Sequence, residues 1–139
     1  MINFSFESPV IMNQEEIIKQ WLEEVAVREG YQIEQVDVIF CSDEFLLKIN
    51  KEYLGHDTYT DVIGFDYNVG KRLQGEIYIS IDRVRDNAIK FDIRPQAELN
   101  RVMVHGLLHF CGWEDDSPAK KKAMQKREDF HLSSLEDLT

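Results

Sequence analysis

The spacing of apolar residues changes several times along the chain, and each change marks an element. Residues 3–6 alternate weakly, as a short strand would. Asn13 stands where a helix cap belongs, ahead of Ile17, Ile18, Trp21, Leu22 and Val25, which recur at helical spacing until Gly30. Val36, Val38 and Phe40 alternate with Asp37 and Ile39, the period of a half-buried strand. Ser42 or Asp43 then caps a short helix carrying Leu46, Leu47 and Ile49 towards Tyr53, with Gly55 as its stop. Residues 60–67, aromatic and β-branched, and residues 73–80 predict two adjacent strands, with Asn68, Val69 and Gly70 beginning the connection. A helix is expected from Ile81 or Asp82 to the residues before Pro95, and another over 96–110. In the latter, Leu99, Val102, Met103, Val104, Leu107, Leu108 and Phe110 nearly encircle the axis, so it belongs at the centre. Ser117 followed by Pro118 opens a last, mostly charged helix. The pattern predicts an α+β fold, a small mixed four-stranded sheet surrounded by about five helices, in a single domain over residues 1–139.

Composition narrows the classes of function. The 139 residues are 43% hydrophobic, enough for one packed core. A formal net charge of -10 argues against a protein that coats nucleic acid through a broad basic surface. Local basic groups remain: Lys71 with Arg72, Arg83 with Arg85, and Lys120, Lys121, Lys122, Lys126 and Arg127. The opening residues lack the basic and apolar regions of a secretory signal, and charges interrupt every apolar run before the ~18 residues a spanning helix needs. A cytoplasmic location without membrane contact is expected. Cys41 and Cys111 form neither a disulfide framework nor a close ligand pair and are expected to be buried thiols; Cys111, two residues past His109, turns to the opposite helix face.

The chemistry concentrates in residues 105–115, His-Gly-Leu-Leu-His-Phe-Cys-Gly-Trp-Glu-Asp. Helical residues four apart lie about 6 Å from each other and about 40° around the axis, so His105 and His109 can offer ring nitrogens to one metal ion at the C-terminal end of the central helix. Gly112 is where the helix can turn sharply and return Asp115 to that point. Two histidines and a carboxylate, with a fourth position open to water, suit catalytic zinc, although Glu114 and Asp116 flank Asp115 and compete for the third place. Gly106 occupies the position at which metallopeptidases of the His-Glu-x-x-His type carry their general base. A glycine inside a helix implies either a close approach to the backbone there or the packing of a neighbouring element.

The segment resembles the pattern HGxLHxxGYDH of the YbeY family of metal-dependent endoribonucleases, met by His105, Gly106, Leu108, His109 and Gly112, with Trp113 for the tyrosine and Glu114 for the aspartate. Asn50, Tyr53, Gly55, Asp57 and the stretch TDVIGF over 60–65 are similar to that family's LNxxYRGxDxPTDVLSF, and GEIYIS over 75–80 to its GDIxIS strand. Two positions depart. Asp115 replaces the family's third histidine, which lowers the net charge at the metal and makes bound water less acidic. Leu54 replaces an arginine suited to phosphate contact, a role that His56 could take in part.

The resemblance implies a zinc-dependent endoribonuclease specific for single strands, acting in ribosomal RNA maturation and ribosome quality control, with ribosomal RNA and the small subunit or its assembly factors as partners and no DNA. Beyond a metal-activated water, no catalytic residue is fixed. Asp57, Asp61, Glu76 and Glu98 are candidate bases, with Asp61, His56 and Glu98 singled out for the site. Glu98 lies two turns before His105, about 10 Å along the axis, which suits pairing better than proton transfer. Two other readings compete: a metal-stabilised ribosome-assembly factor with little catalysis, and a metallopeptidase, which Gly106 disfavours.

Overall fold

Alternation along the strands sorts side chains onto two faces of one sheet. The computed structural model describes residues 1–10 and 12–139. In chain order the elements are β1 (Ile2–Phe6), α1 (Glu15–Arg28), β2 (Gln32–Cys41), α2 (Asp43–Leu54), β3 (Val62–Asp66), β4 (Arg72–Ser80), α3 (Ile81–Phe91), α4 (Pro95–Phe110) and α5 (Pro118–Leu138). The strands lie in the order β1-β2-β4-β3, parallel from β1 to β2 and from β2 to β4, antiparallel between β4 and β3. This is the expected mixed sheet with five helices. Val36, Val38, Phe40, Leu73, Ile77 and Ile79 feed the main core on one face. Cys41 and Ile63 project to the other, where they meet Leu46 and Ile49 of α2 and the partly buried Phe65 and Tyr78.

Two boundaries differ from the sequence expectation. β2 begins at Gln32, because its first residues pair with Arg72 and Leu73 of β4 across a register irregularity between Ile33 and Gln35. That end is half exposed and shows no alternation. Asn13 does not cap α1; Gln14 does, from a left-handed conformation without a side-chain bond, and Glu15 and Glu16 meet the helix dipole in its place. Ser42 and Ser117 cap as read, each accepting a backbone N–H of the following turn, and Ser80, the last residue of β4, does the same for α3.

Helix α4 is the centre of the molecule. Nine of its 16 residues are buried, and it packs on β3 and β4 and among α1, α3 and α5. Its approach to the sheet depends on glycine. A Cβ at Gly106 would stand 3.0 Å from Ile77 Cγ2, and one at Gly75 would stand 2.7 Å from the ring of Phe110. The packing reading of Gly106 therefore holds: the helix rests on β4 at that point. Cys41 and Cys111 are free and buried, each pushed up to about 12 chiefly by burial, so neither offers a thiolate. Among the described residues no helix is long and apolar enough to cross a membrane.

Candidate metal centre

The last turn of α4 ends in a tight backbone motif. Gly112 takes φ +93°, its N–H bonds the His109 carbonyl at 3.0 Å, and the Trp113 N–H bonds the Leu108 carbonyl at 3.0 Å. These are the two bonds of a Schellman motif, which favours glycine at the left-handed residue. The motif reverses the chain and does two things at once. It returns Asp115 to the histidines, and it points the Trp113 carbonyl at His109, whose Nδ1 lies 2.9 Å away.

Three candidate ligand atoms converge as a result. His105 Nε2 and His109 Nε2 are 3.0 Å apart, and Asp115 Oδ2 lies 3.4 Å from the first and 3.5 Å from the second. An ion bound tetrahedrally at ~2.0–2.1 Å separates its ligands by about 3.4 Å, so the triangle fits zinc with one position left open. The donor chemistry agrees. With Nδ1–H given to Glu128 and to the Trp113 carbonyl, both Nε2 atoms present lone pairs, and lone pairs facing each other at 3.0 Å need a cation or a proton between them. Among the described residues this is the one group of three or more such side chains able to share an ion.

Outside the ligands, Glu128 of α5 accepts from His105 Nδ1 at 2.6 Å. Its side chain is 5% exposed and is held by Arg101 Nη1 at 2.8 Å, while Arg101 Nη2 reaches Asp129 at 2.6 Å. Burial works to lower the His105 pKa, but Glu128, Asp115 and Asp61 together outweigh it and leave it raised. A second network lies behind the turn, where Glu29 accepts from Trp113, Arg127 and His131. Burial pushes the Glu29 carboxyl up, yet these three donors hold it below the usual range.

A cleft of about 620 Å³ opens in front of the cluster, lined by His105, His109 and Asp115 from α4 and its closing turn and by Leu54, His56, Tyr59 and Asp61 from the end of α2 and the loop before β3. The loop wall depends on Asn50: its side-chain amide donates to the Thr58 carbonyl at 2.8 Å, and its own carbonyl accepts from Gly55 and His56 N–H. Asp61, half-buried, is the one of the four candidate bases that lines the cleft. Burial raises its pKa against the opposing pull of His105 and of the backbone N–H groups of Asp61 and Val62. The other three lie elsewhere. Glu98 is buried in α4, its pKa raised chiefly by burial; Glu76 takes the hydroxyls of Tyr67 and Tyr78; Asp57 pairs with Lys51.

Among the described residues no lysine or arginine lines this cleft. The basic residues singled out in the sequence are engaged elsewhere: Lys71 over the Tyr31 ring, Arg72 with Glu34, Arg83 with Asp43, Arg85 on the Pro9 carbonyl, Lys120 with Glu114 and Asp116, and Arg127 with Glu29. Lys121, Lys122 and Lys126 are exposed on α5. Glu114 and Asp116 are both taken by Lys120, and Asp115 is the carboxylate that lies with the two histidines. Sequence reading missed Glu128, Arg101 and Glu29. A buried acid on a helix that reads as solvated leaves no local signal, since its partners are 23 to 102 positions away.

Fold and cluster together define an α+β protein that carries two histidines and an aspartate at the bend closing its central helix. The model of one family, endoribonuclease YbeY, matches residues 3–136. The endoribonuclease YbeY of Flavobacterium johnsoniae is 46% identical over 129 residues, 93% of each chain, and that of Christiangramia forsetii 45% identical over 128 residues, 92% of this chain and 90% of its own. The solution structure of TM1509 from Thermotoga maritima superposes with a TM-score of 0.68 at 27% identity, covering 97% of this chain and 89% of that one. The chain belongs to the endoribonuclease YbeY family.

Proposed function

We propose that this protein is a zinc-dependent endoribonuclease that cleaves single-stranded RNA in ribosomal RNA maturation and ribosome quality control. The whole chain acts as one cytoplasmic domain, with ribosomal RNA and the small subunit or its assembly factors as partners. His105, His109 and Asp115 hold the ion. The observation that carries the reading is the triangle of His105 Nε2, His109 Nε2 and Asp115 Oδ2, with sides of 3.0, 3.4 and 3.5 Å, at the floor of an open cleft.

Zinc held by these residues would supply Lewis acidity towards a phosphoryl oxygen and water. The chain's own residues do the rest. Glu128 and the Trp113 carbonyl take the two Nδ1 protons and so fix the tautomers that present Nε2. Asp61, which lines the same cleft and has its pKa raised by burial, accepts a proton from the attacking oxygen and returns it to the leaving one. On the loop wall His56 offers a ring N–H to a phosphate, since Leu54 has no polar group.

Elemental mass spectrometry on tag-free protein tests the ligands: near-stoichiometric zinc in the parent, lost in His109→Ala and Asp115→Ala. Cleavage of a labelled single-stranded RNA by the parent and not by those variants tests the activity. The cleft's lack of lysine and arginine favours a second reading, a metal-stabilised assembly factor. Ribosome association that survives the ligand variants, with no RNA cleavage by the zinc-loaded parent, would establish it.

A further inference from the structure

Glu29 occupies the C-terminal cap of α1, where the helix carbonyls already concentrate negative potential and a carboxylate is locally unfavourable. Its side chain is nevertheless only 7% exposed. Three donors from two distant segments converge on it. Trp113 Nε1 bonds Oε1 at 2.8 Å, while Arg127 Nε and His131 Nε2 bond Oε2 at 2.6 and 2.7 Å. Arg127 also lies over the Trp113 ring, 5.7 Å from its centroid, so the indole is held at its edge and on its face.

Trp113 is the hinge of this arrangement. Its backbone N–H closes the Schellman motif, its carbonyl accepts from His109 Nδ1, and it stands two residues before Asp115. Residues 113–115 have no regular secondary structure. Ordering such a coil each time it presents a ligand costs conformational entropy, and a side chain already anchored reduces that cost.

We propose that Glu29 is a positioning residue of the metal centre: by anchoring the Trp113 indole it fixes the carbonyl that orients His109 and the turn that carries Asp115. The inference rests on the metal-site reading above. Glu29 touches none of the three ligands and acts through Trp113, which explains why an acid persists at a helix end that disfavours it.

The test measures zinc affinity of the full chain by competition with a chromophoric chelator, together with the visible spectrum of the cobalt form, in the parent, Trp113→Phe, Glu29→Gln and the double variant. Trp113→Phe removes one N–H and keeps the ring under Arg127. It is expected to weaken zinc binding about tenfold and to alter the cobalt spectrum while the metal-free thermal midpoint holds. Glu29→Gln should weaken zinc to a similar degree, and the double variant no further than the worse single, because the route from Glu29 to the ligands runs through Trp113. Zinc affinity within about twofold of the parent in Trp113→Phe would overturn the proposal, as would variants that lose metal-free stability at unchanged affinity. A parent that takes up neither zinc nor cobalt would instead refute the metal-site reading, and the positioning role with it.

Discussion

The two walls of the cleft are built to different standards. On the α4 side every candidate ligand sits in a fixed frame: His105 against Glu128, His109 against the Trp113 carbonyl, Asp115 on a turn closed by two backbone bonds. On the other side, Leu54, His56 and Tyr59 are exposed, and the loop is tied down through Asn50. A site that must hold an ion within a few tenths of an ångström needs its side chains immobilised before binding. A wall that meets a flexible single strand tolerates motion, since contact with the strand itself can order it.

The largest expected effect removes the fixed wall's purpose. His105→Ala or His109→Ala should take bound zinc from near one per chain to background and abolish RNA cleavage; retained zinc in both would refute the frame as a ligand site. Next, Asp61→Asn should lower kcat by about 10²–10⁴-fold while zinc content stays at the parent level. That split places Asp61 with the substrate side. The same substitution should raise metal-free stability at neutral pH. A carboxyl whose folded pKa is raised stabilises the fold while protonated and loses that contribution as pH rises through it, so removing the charge relieves a cost.

A smaller effect sharpens the frame itself. Glu128→Gln should weaken zinc about 10–100-fold, measured by chelator competition, because the amide can turn its NH2 towards His105 and fail to accept. The loop wall is tested by addition: Leu54→Arg should tighten binding to single-stranded RNA at low salt and steepen the dependence of log affinity on log salt by about 0.7 per new phosphate contact. An unchanged slope would place Leu54 away from the RNA path. The smallest effect is on acid stability. Burial lowers the His131 pKa, so the unfolded chain takes up its proton first, and stability should fall as pH drops below the ordinary imidazole value of 6.5. Denaturant titrations at neutral and mildly acidic pH should show that slope weakened in His131→Gln.

Most elements, the mixed α+β architecture and the nearness of His105, His109 and Asp115 were legible in the chain before folding was considered. Each of these rests on short-range periodicity: apolar residues at helical or strand spacing, histidines one turn apart, a glycine where the helix must reverse. His105, His109 and Asp115 span eleven residues, so local geometry sufficed to bring them together. Tertiary structure alone decided what supports them. Glu128 reaches His105 only because α5 packs across α4, and Glu29 reaches Trp113 only because α1 ends beside the same turn. It also separated Asp61, brought into the cleft at the start of β3, from Glu98, which shares a helix with the ligands yet lies buried outside the cleft. The residues choosing tautomer, turn and proton acceptor lie tens of positions from those they act upon, and only the packing of helices on the sheet brings the pairs within bonding distance.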